Sequence, residues 1–269
     1  SELRRPKGLP LSFRLLNKIH RRLMAGRPGR GIRPGTIRKS QNWVGGTRPG
    51  NAVFVPPPPQ VLSDAISDFE RWMHSESRLH PLARCALLHV QFETIHPYLD
   101  GNGRLGRLLI TLLLEHWGLL SEPLLYLSLF FKRNRDEYYR RLKAVRTDGD
   151  WEGWLDFFLD GVRITSNETT DTVRALFALV NEDRQTVLGQ SATTVAAARL
   201  FELLPKHPMV TVGLVTELIE VTKPTASKTV ATLVDAGILV ETTGRRRDRV
   251  FSYTSYLDLL REGTETAAR

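Results

Sequence analysis

Leu105, Leu108, Leu109, Leu112 and Leu113 recur so closely that the helix they predict, ending near Gly118, is apolar on nearly every side. A helix of that kind cannot lie on a surface and belongs in the middle of a domain. With 269 residues, 41% of them hydrophobic, the chain is long enough for one large globular core plus a smaller second domain.

The segments before it are also helical in spacing. Leu15, Leu16, Ile19 and Leu23 predict a helix from Leu11 that fails at Gly26 and Pro28. Val61, Ala65, Phe69, Trp72 and Met73 predict another over about 61–74, and Leu82, Cys85, Leu88, Phe92 and Ile95 a third over about 81–95. Residues 26–60 are rich in Gly and Pro, and within them "NWVGG" and "NAVFV", separated by "TRPG", fit a β-hairpin that the prolines from Pro56 to Pro59 then terminate. Further helices are predicted at 134–146, 151–164 and 168–186, so residues 1–190 read as one mostly α domain. The tail, 191–269, is different: three short helical patterns in "ATTVAAARLFELLP", "VGLVTELIE" and "KPTASKTVATLVDAGIL" are followed by "GILVETTG" and "VFSYTS", two strand patterns around the basic turn "RRRDR". Three helices plus a hairpin is the layout of a winged helix-turn-helix domain.

Between two of the apolar helices stands "HPYLDGNGRLGR", residues 96–107. Glycines at 101 and 103 let successive backbone N–H groups face an open helix N-terminus, which makes an anion site. Arg104 and Arg107 are three apart, hence on one helical face, and both reach the same anion, for which a di- or triphosphate is a natural ligand. Asp100 would be repelled by that phosphate unless a cation lay between them, and one carboxylate with phosphate oxygens is a usual Mg²⁺ arrangement. His96 could then take a proton from an incoming hydroxyl. Singly, a "DGNG" turn, a lone histidine or an arginine at a helix start is ordinary structure; their coincidence within twelve residues is what structure alone does not explain.

Charge adds a second feature. The first 50 residues hold thirteen Lys/Arg against Glu2, more than the whole net charge of +9, and the rest is near neutral. A basic segment like this is either a solvated face or a surface for nucleic acid, an acidic protein or a polyphosphate. One cysteine, Cys85, allows no intramolecular disulfide and points to a reducing cytoplasm, and no membrane span or secretory signal is predicted.

The motif resembles the signature of the Fic family, His-x-Phe-x-Asp/Glu-Gly-Asn-Gly-Arg-x-x-Arg, with Tyr98 keeping an aromatic where Phe is usual. "GTIRKSQNWVGG", "AVFVPPPP", "HVQFETIHP", "LLYLSLFF", "RDEYYRRL" and "GDWEGWLDFFLDGV" resemble segments of bacterial Fic proteins, so the likeness covers about residues 10–165, and the tail resembles their winged-helix end. The fold implied is a mostly α, Fic-type helical bundle with a small β-hairpin flap, followed by a winged helix domain. The activity implied is protein adenylylation: a Ser, Thr or Tyr hydroxyl of a target protein attacks the α-phosphate of ATP and releases pyrophosphate. By position in the motif, His96 would be the general base and Asp100 the Mg²⁺ ligand. Gly101, Asn102 and Gly103 would line the phosphate site, with Leu105 and Gly106 in the same ATP-binding run and Arg104 and Arg107 on the β and γ phosphates. Tyr138 and Tyr139 correspond to a pair near the adenine, or are amphipathic core residues, and Arg146 falls where some members have a nucleotide-contacting Asn. Asn51, Ala52, Val53, Phe54 and Val55 would form the flap that holds the target by strand-like pairing. Autoadenylylation and a homodimer also follow from the resemblance.

Many Fic proteins carry an inhibitory helix, Ser/Thr-x-x-x-Glu-Gly/Asn. Glu152 and Glu262 are followed by Gly, but Asp148 and Asp258 occupy the Ser/Thr positions, so neither qualifies. The chain begins at Ser1 rather than Met, and the expectation is that this helix was lost by truncation or is supplied by a partner. Two other readings stay open. Thr225, Ser227, Lys228 and Arg246 would make the winged helix a DNA-binding regulator, or the motif would transfer another phosphate-containing group or remove AMP.

Overall fold

The structure, a computed structural model, describes residues 11–26, 33–122, 125–190 and 194–262. The apolar helix is α4, Asn102–His116, with Leu105, Leu109, Leu113 and Leu114 at most 1% exposed. Against it pack α1 (Phe13–Leu23) and α3 (Pro81–Ile95), α2 (Leu62–His74) packs on α3, and the core continues through α5 (Leu127–Arg133), α6 (Arg135–Asp148) and the first turns of α7 (Trp151–Gly189). Two starts have a local cause: Ser12 caps α1 by accepting from the Leu15 N–H, and Pro81 opens α3 with its fixed φ. The indole of Trp154 is fully buried and donates to the Ala86 carbonyl at 2.9 Å, so α7 is tied to α3 without an orphaned N–H. Pro28, expected to end the first helix, lies outside the described residues, which show α1 ending at Leu23.

Three expectations need correction. The helices foreseen at 151–164 and 168–186 are one helix, α7, because "TSNE" at 165–168 contains no Gly or Pro and its weak propensities cost only tenths of a kcal/mol per residue, about 0.5 each. The hairpin at 44–54 is reduced to a single antiparallel bridge, Val44 to Phe54. Gly45 and Gly46 adopt φ +70° and +66°, outside the β region, and a 3-10 turn at Pro49–Asn51 follows, so no ladder propagates. A strand absent from the sequence reading, β1 (Met209–Thr211), is too short to show an alternating pattern.

The chain divides into two compact units, Ser1–Thr165 and Ser166–Arg269. The second contains α8 (Val195–Leu203), β1, α9 (Val212–Ile219), α10 (Lys223–Asp235), β2 (Val240–Glu241), β3 (Val250–Ser252) and α11 (Thr254–Glu262). Its sheet has the order β1-β3-β2, all antiparallel, with Val210 opposite Phe251. Leu200, Phe201, Val215, Leu233 and Tyr253 form its core with Val187 of α7. No described helix is long and apolar enough to cross a membrane.

Candidate active site

Pro97 disfavours a helical conformation at the residue before it, and α3 ends there, with His96 left-handed at φ 49°. A left-handed non-glycine residue is strained and must be held. Arg38 holds it: this guanidinium, 3% exposed, donates to the carbonyls of His96 (2.9 Å), Ile95 (3.4 Å), Ser40 (3.3 Å) and Pro57. In the sequence Arg38 stands inside a basic stretch, and no composition signal separates a buried arginine from its solvated neighbours. Beyond His96, the loop is clasped by Asn102, 2% exposed, whose side chain accepts from the Tyr98 N–H (2.9 Å) and donates to the Tyr98 carbonyl (2.7 Å). His20 of α1 stacks on Tyr98, accepts at Nδ1 from the Gly35 N–H and contacts the Asp100 carbonyl through Nε2 at 2.9 Å. The Tyr98 hydroxyl, absent from the usual Phe, donates to Asn17 Oδ1 at 2.7 Å.

Burial lowers the His96 pKa to about 4, against smaller pulls upward from the Glu93 carbonyl and Asp100, so its imidazole is neutral at pH 7. Its Nδ1 is buried and makes no hydrogen bond of good geometry, although the Glu93 carbonyl lies close enough to oppose part of the burial effect. Asp100 is exposed; Oδ1 accepts from the Gly101 N–H at 2.6 Å and Oδ2 lies 3.7 Å from Arg104 Nη2. Gly101, at φ +81°, caps α4 without a side chain, and a Cβ there would meet Met24 Sδ at 2.9 Å. The first-turn amides of α4 therefore have no intrahelical acceptor. No group of three or more His, Cys, Asp and Glu is gathered for a metal among the described residues, so Asp100 suits only a cation shared with a ligand's own oxygens.

Arg104 and Arg107 face a cavity of about 530 Å³, whose other walls include Tyr126, Lys132, Arg135 and Tyr139. Tyr139 is 47% exposed there, whereas Tyr138 is 3% exposed and its hydroxyl is 2.9 Å from His89 Nε2, whose Nδ1 is in turn 3.0 Å from the Gly106 carbonyl. The two tyrosines thus separate: Tyr138 is tied into the core, although its edge borders the cavity, and Tyr139 is available to a ligand. Leu105 is fully buried in the core and its side chain contributes packing, not ligand contact. Arg146 stacks over the Phe54 ring at 3.9 Å and donates to Thr94 Oγ1 at 3.1 Å, so it links α6 to the 44–54 segment and to α3. In that segment Val53 and Val55 are exposed, Phe54 and Ala52 half-buried, and the Asn51 side chain accepts from the Thr47 and Arg48 N–H groups.

Glu93 was missed altogether. It is 7% exposed on α3, Oε1 has no hydrogen-bond partner, and burial raises its pKa to about 7 despite Arg107 and Arg146. It sits among apolar residues at helical spacing, where a carboxylate reads as an outward-facing position. In the second unit, Ser227 and Arg246 border one cavity of about 620 Å³ with Lys223 and Arg249, while Thr225 lies on the first turn of α10, its hydroxyl 2.9 Å from that of Thr222. Lys228 follows on the same helix, exposed.

The Fic/DOC family model matches residues 10–114. The chain is 34% identical over 154 residues to the protein adenylyltransferase Fic of Drosophila erecta, covering 56% of this chain and 28% of that protein. To the protein of the same name from Drosophila mojavensis it is 30% identical over 201 residues, covering 72% of this chain and 37% of that one. The chain therefore spans about a third of the length of these relatives. A crystal structure of a Fic family protein from Desulfovibrio desulfuricans shares the fold, with TM-score 0.55 and 21% identity over 96% of this chain and 70% of the other. The stretch that resembles the Fic/DOC family, residues 10–114, holds the whole 96–107 loop.

Proposed function

We propose that the chain is a protein adenylyltransferase: it transfers AMP from ATP to a Ser, Thr or Tyr hydroxyl of a target protein and releases pyrophosphate. The observation that carries this reading is the meeting, in one stretch of twelve residues, of a neutral histidine, an exposed carboxylate beside Arg104, and two arginines that line a 530 Å³ cavity. With Nδ1 buried beside the Glu93 carbonyl, the resting proton belongs on Nδ1, which leaves the Nε2 lone pair to accept the proton of the target hydroxyl. The deprotonated oxygen bonds to the α-phosphorus as the bond to the β-phosphate oxygen breaks. Arg104, Arg107 and the first-turn amides of α4 balance the charge gathering on the departing pyrophosphate. Asp100 would hold Mg²⁺ jointly with the phosphates, and that cation would add further charge neutralisation. Tyr139 and Tyr126 offer aromatic surface for the base, and the 44–54 segment, with Val53 and Val55 outward, offers an edge to an extended target peptide.

The same reading takes residues 1–190 as the transferase module and 191–269 as a winged helix-turn-helix module, supported by the order α8, β1, α9, α10, β2, β3 and by the antiparallel pairing of the three strands. It places the protein in a reducing cytoplasm, since its one cysteine, Cys85, is buried and free. Incubation of the chain with lysate and ATP labelled at either the α or the γ phosphate tests the assignment. Protein labelling from the α position alone is expected; labelling from the γ position alone would mean kinase-type transfer and overturn it.

A further inference from the structure

Glu93 is a carboxyl group in an unusual place. It is more than nine-tenths buried, Oε1 has no donor, and it points at the first turns of α4. Room for it comes from a missing side chain: a Cβ on Gly106 would stand 2.4 Å from Glu93 Oε1. A Cβ on Gly103 would stand 3.2 Å from Arg107 Nη1 and 4.0 Å from Glu93 Oε1, so guanidinium and carboxyl both border the space that this glycine leaves. A buried polar atom without a partner is destabilising, and this one is tolerated beside the cradle rather than removed from it.

The charged and titratable groups around Glu93 are Arg107 on α4, Arg146 and Tyr138 on α6, His89 on its own helix and His96 at that helix's C-cap. Both histidines are neutral near pH 7, because burial lowers their pKa to about 3 for His89 and about 4 for His96. Arg107 and Arg146 are therefore the cations that an ionised Glu93 balances. A polyphosphate arriving at Arg107 brings several negative charges to the same guanidinium and makes that carboxylate a like charge at close range.

We propose that Glu93 is a positioning residue of the phosphate cradle that works as a replaceable counter-ion: ionised, it balances Arg107 while the cradle is empty, and it takes up a proton when a polyphosphate occupies the cradle. The proton comes from solvent and returns there when the anion leaves; no covalent bond changes. The idea rests on the reading of the 96–107 loop as a polyphosphate site. With Glu93 titrating near pH 7 in the empty protein, affinity for the anion is about tenfold lower at pH 8 than at pH 6, beyond the change due to the nucleotide's own ionisation.

The test is calorimetric titration of the full chain with ATP and with pyrophosphate, at pH 7 in two buffers of different ionisation heat and also at pH 6 and pH 8, for the wild type, Glu93→Gln, Gly106→Ala and Gly106→Ala combined with Glu93→Ala. Net proton uptake on binding is expected in the wild type and is expected to fall in Glu93→Gln, which keeps the shape, binds at least as tightly at pH 8 and loses the extra pH dependence. Gly106→Ala is expected to displace the carboxyl and weaken binding, and Glu93→Ala in the same chain to restore it. Equal proton uptake in wild type and Glu93→Gln would overturn the counter-ion role while leaving the cradle intact. Failure of both anions to bind the wild type would instead overturn the polyphosphate reading of the loop and this role with it.

Discussion

Two short basic segments of this chain look alike in composition and differ in what surrounds them. Residues 101–107 hold three glycines and two arginines at the N-cap and first turns of α4, and residues 244–249 hold one glycine and four arginines between β2 and β3. The first is pinned from four directions: Asn102 clasps Tyr98, His20 meets Asp100, Arg38 holds the carbonyls before it, and Glu93 fills the recess at Gly106. Among the described residues the second is held by neighbours in sequence, with Glu241 Oε1 accepting from the Thr243 and Gly244 N–H groups, Arg249 over the Phe251 ring, and its arginines exposed. Positive charge becomes a site with defined geometry when the backbone that carries it is held by buried partners.

The largest effect that would break this contrast is at His96. His96→Ala is expected to reduce α-phosphate transfer about 10²–10⁴-fold while ATP still binds, as read by labelling and by equilibrium binding; undiminished transfer would remove it as the base. Arg107→Ala follows, with an expected loss of about 1.5–3 kcal/mol, or about ten- to a hundredfold, in ATP affinity. Arg246→Ala is expected to leave that affinity unchanged, and a matching loss there would erase the distinction between the segments.

Stability gives the next comparison. Arg38→Ala strips donors from the buried carbonyls of His96, Ile95 and Pro57 and is expected to cost about 1–3 kcal/mol in denaturant unfolding. Arg246→Ala is expected to stay within about 0.5 kcal/mol.

Acidity sharpens the contrast further. His96, folded pKa about 4, is depressed below the unfolded value near 6.5, so the unfolded chain binds the proton first. Its contribution is present above pH 6.5 and lost as pH falls toward 4. Glu93 has the opposite sign: its pKa is raised from 4.5 to about 7, so its contribution is lost as pH rises through that window. Unfolding midpoints of wild type and Glu93→Gln between pH 4 and 8 separate the two, since only the wild type should lose stability toward the alkaline end of that window. The base itself should remain available from pH 5 upward, with transfer falling below it.

The smallest expected effect concerns the 44–54 segment. Arg146→Ala removes the stack on Phe54 and is expected to raise KM for a target peptide several-fold, consistent with about 1 kcal/mol for a partly buried cation–π contact, with KM for ATP nearly unchanged. A change confined to ATP would return Arg146 to the nucleotide.

Much of the helical body was legible, because 62–74, 81–95 and 102–116 have long apolar periods and clear breakers at their ends. The loop was legible because its residue types are costly to place together without a use. Less visible were short elements such as β1, whose pairing partner lies about 40 residues away, and the failed ladder at 44–54, where two glycine torsions decide the outcome.

From the sequence alone came the central place of α4, the interruption after His96 and the gathering of Asp100, Arg104 and Arg107 in one turn, since all three depend on local spacing. Tertiary structure alone decided that Arg38 is buried against the end of α3, that Tyr138 and Tyr139 part company, that Arg146 reaches Phe54, and that Glu93 occupies the space Gly106 leaves. Each of these depends on which distant residues remove a side chain from water. A polar side chain's protonation and partners follow from that removal, and spacing along the chain does not record it.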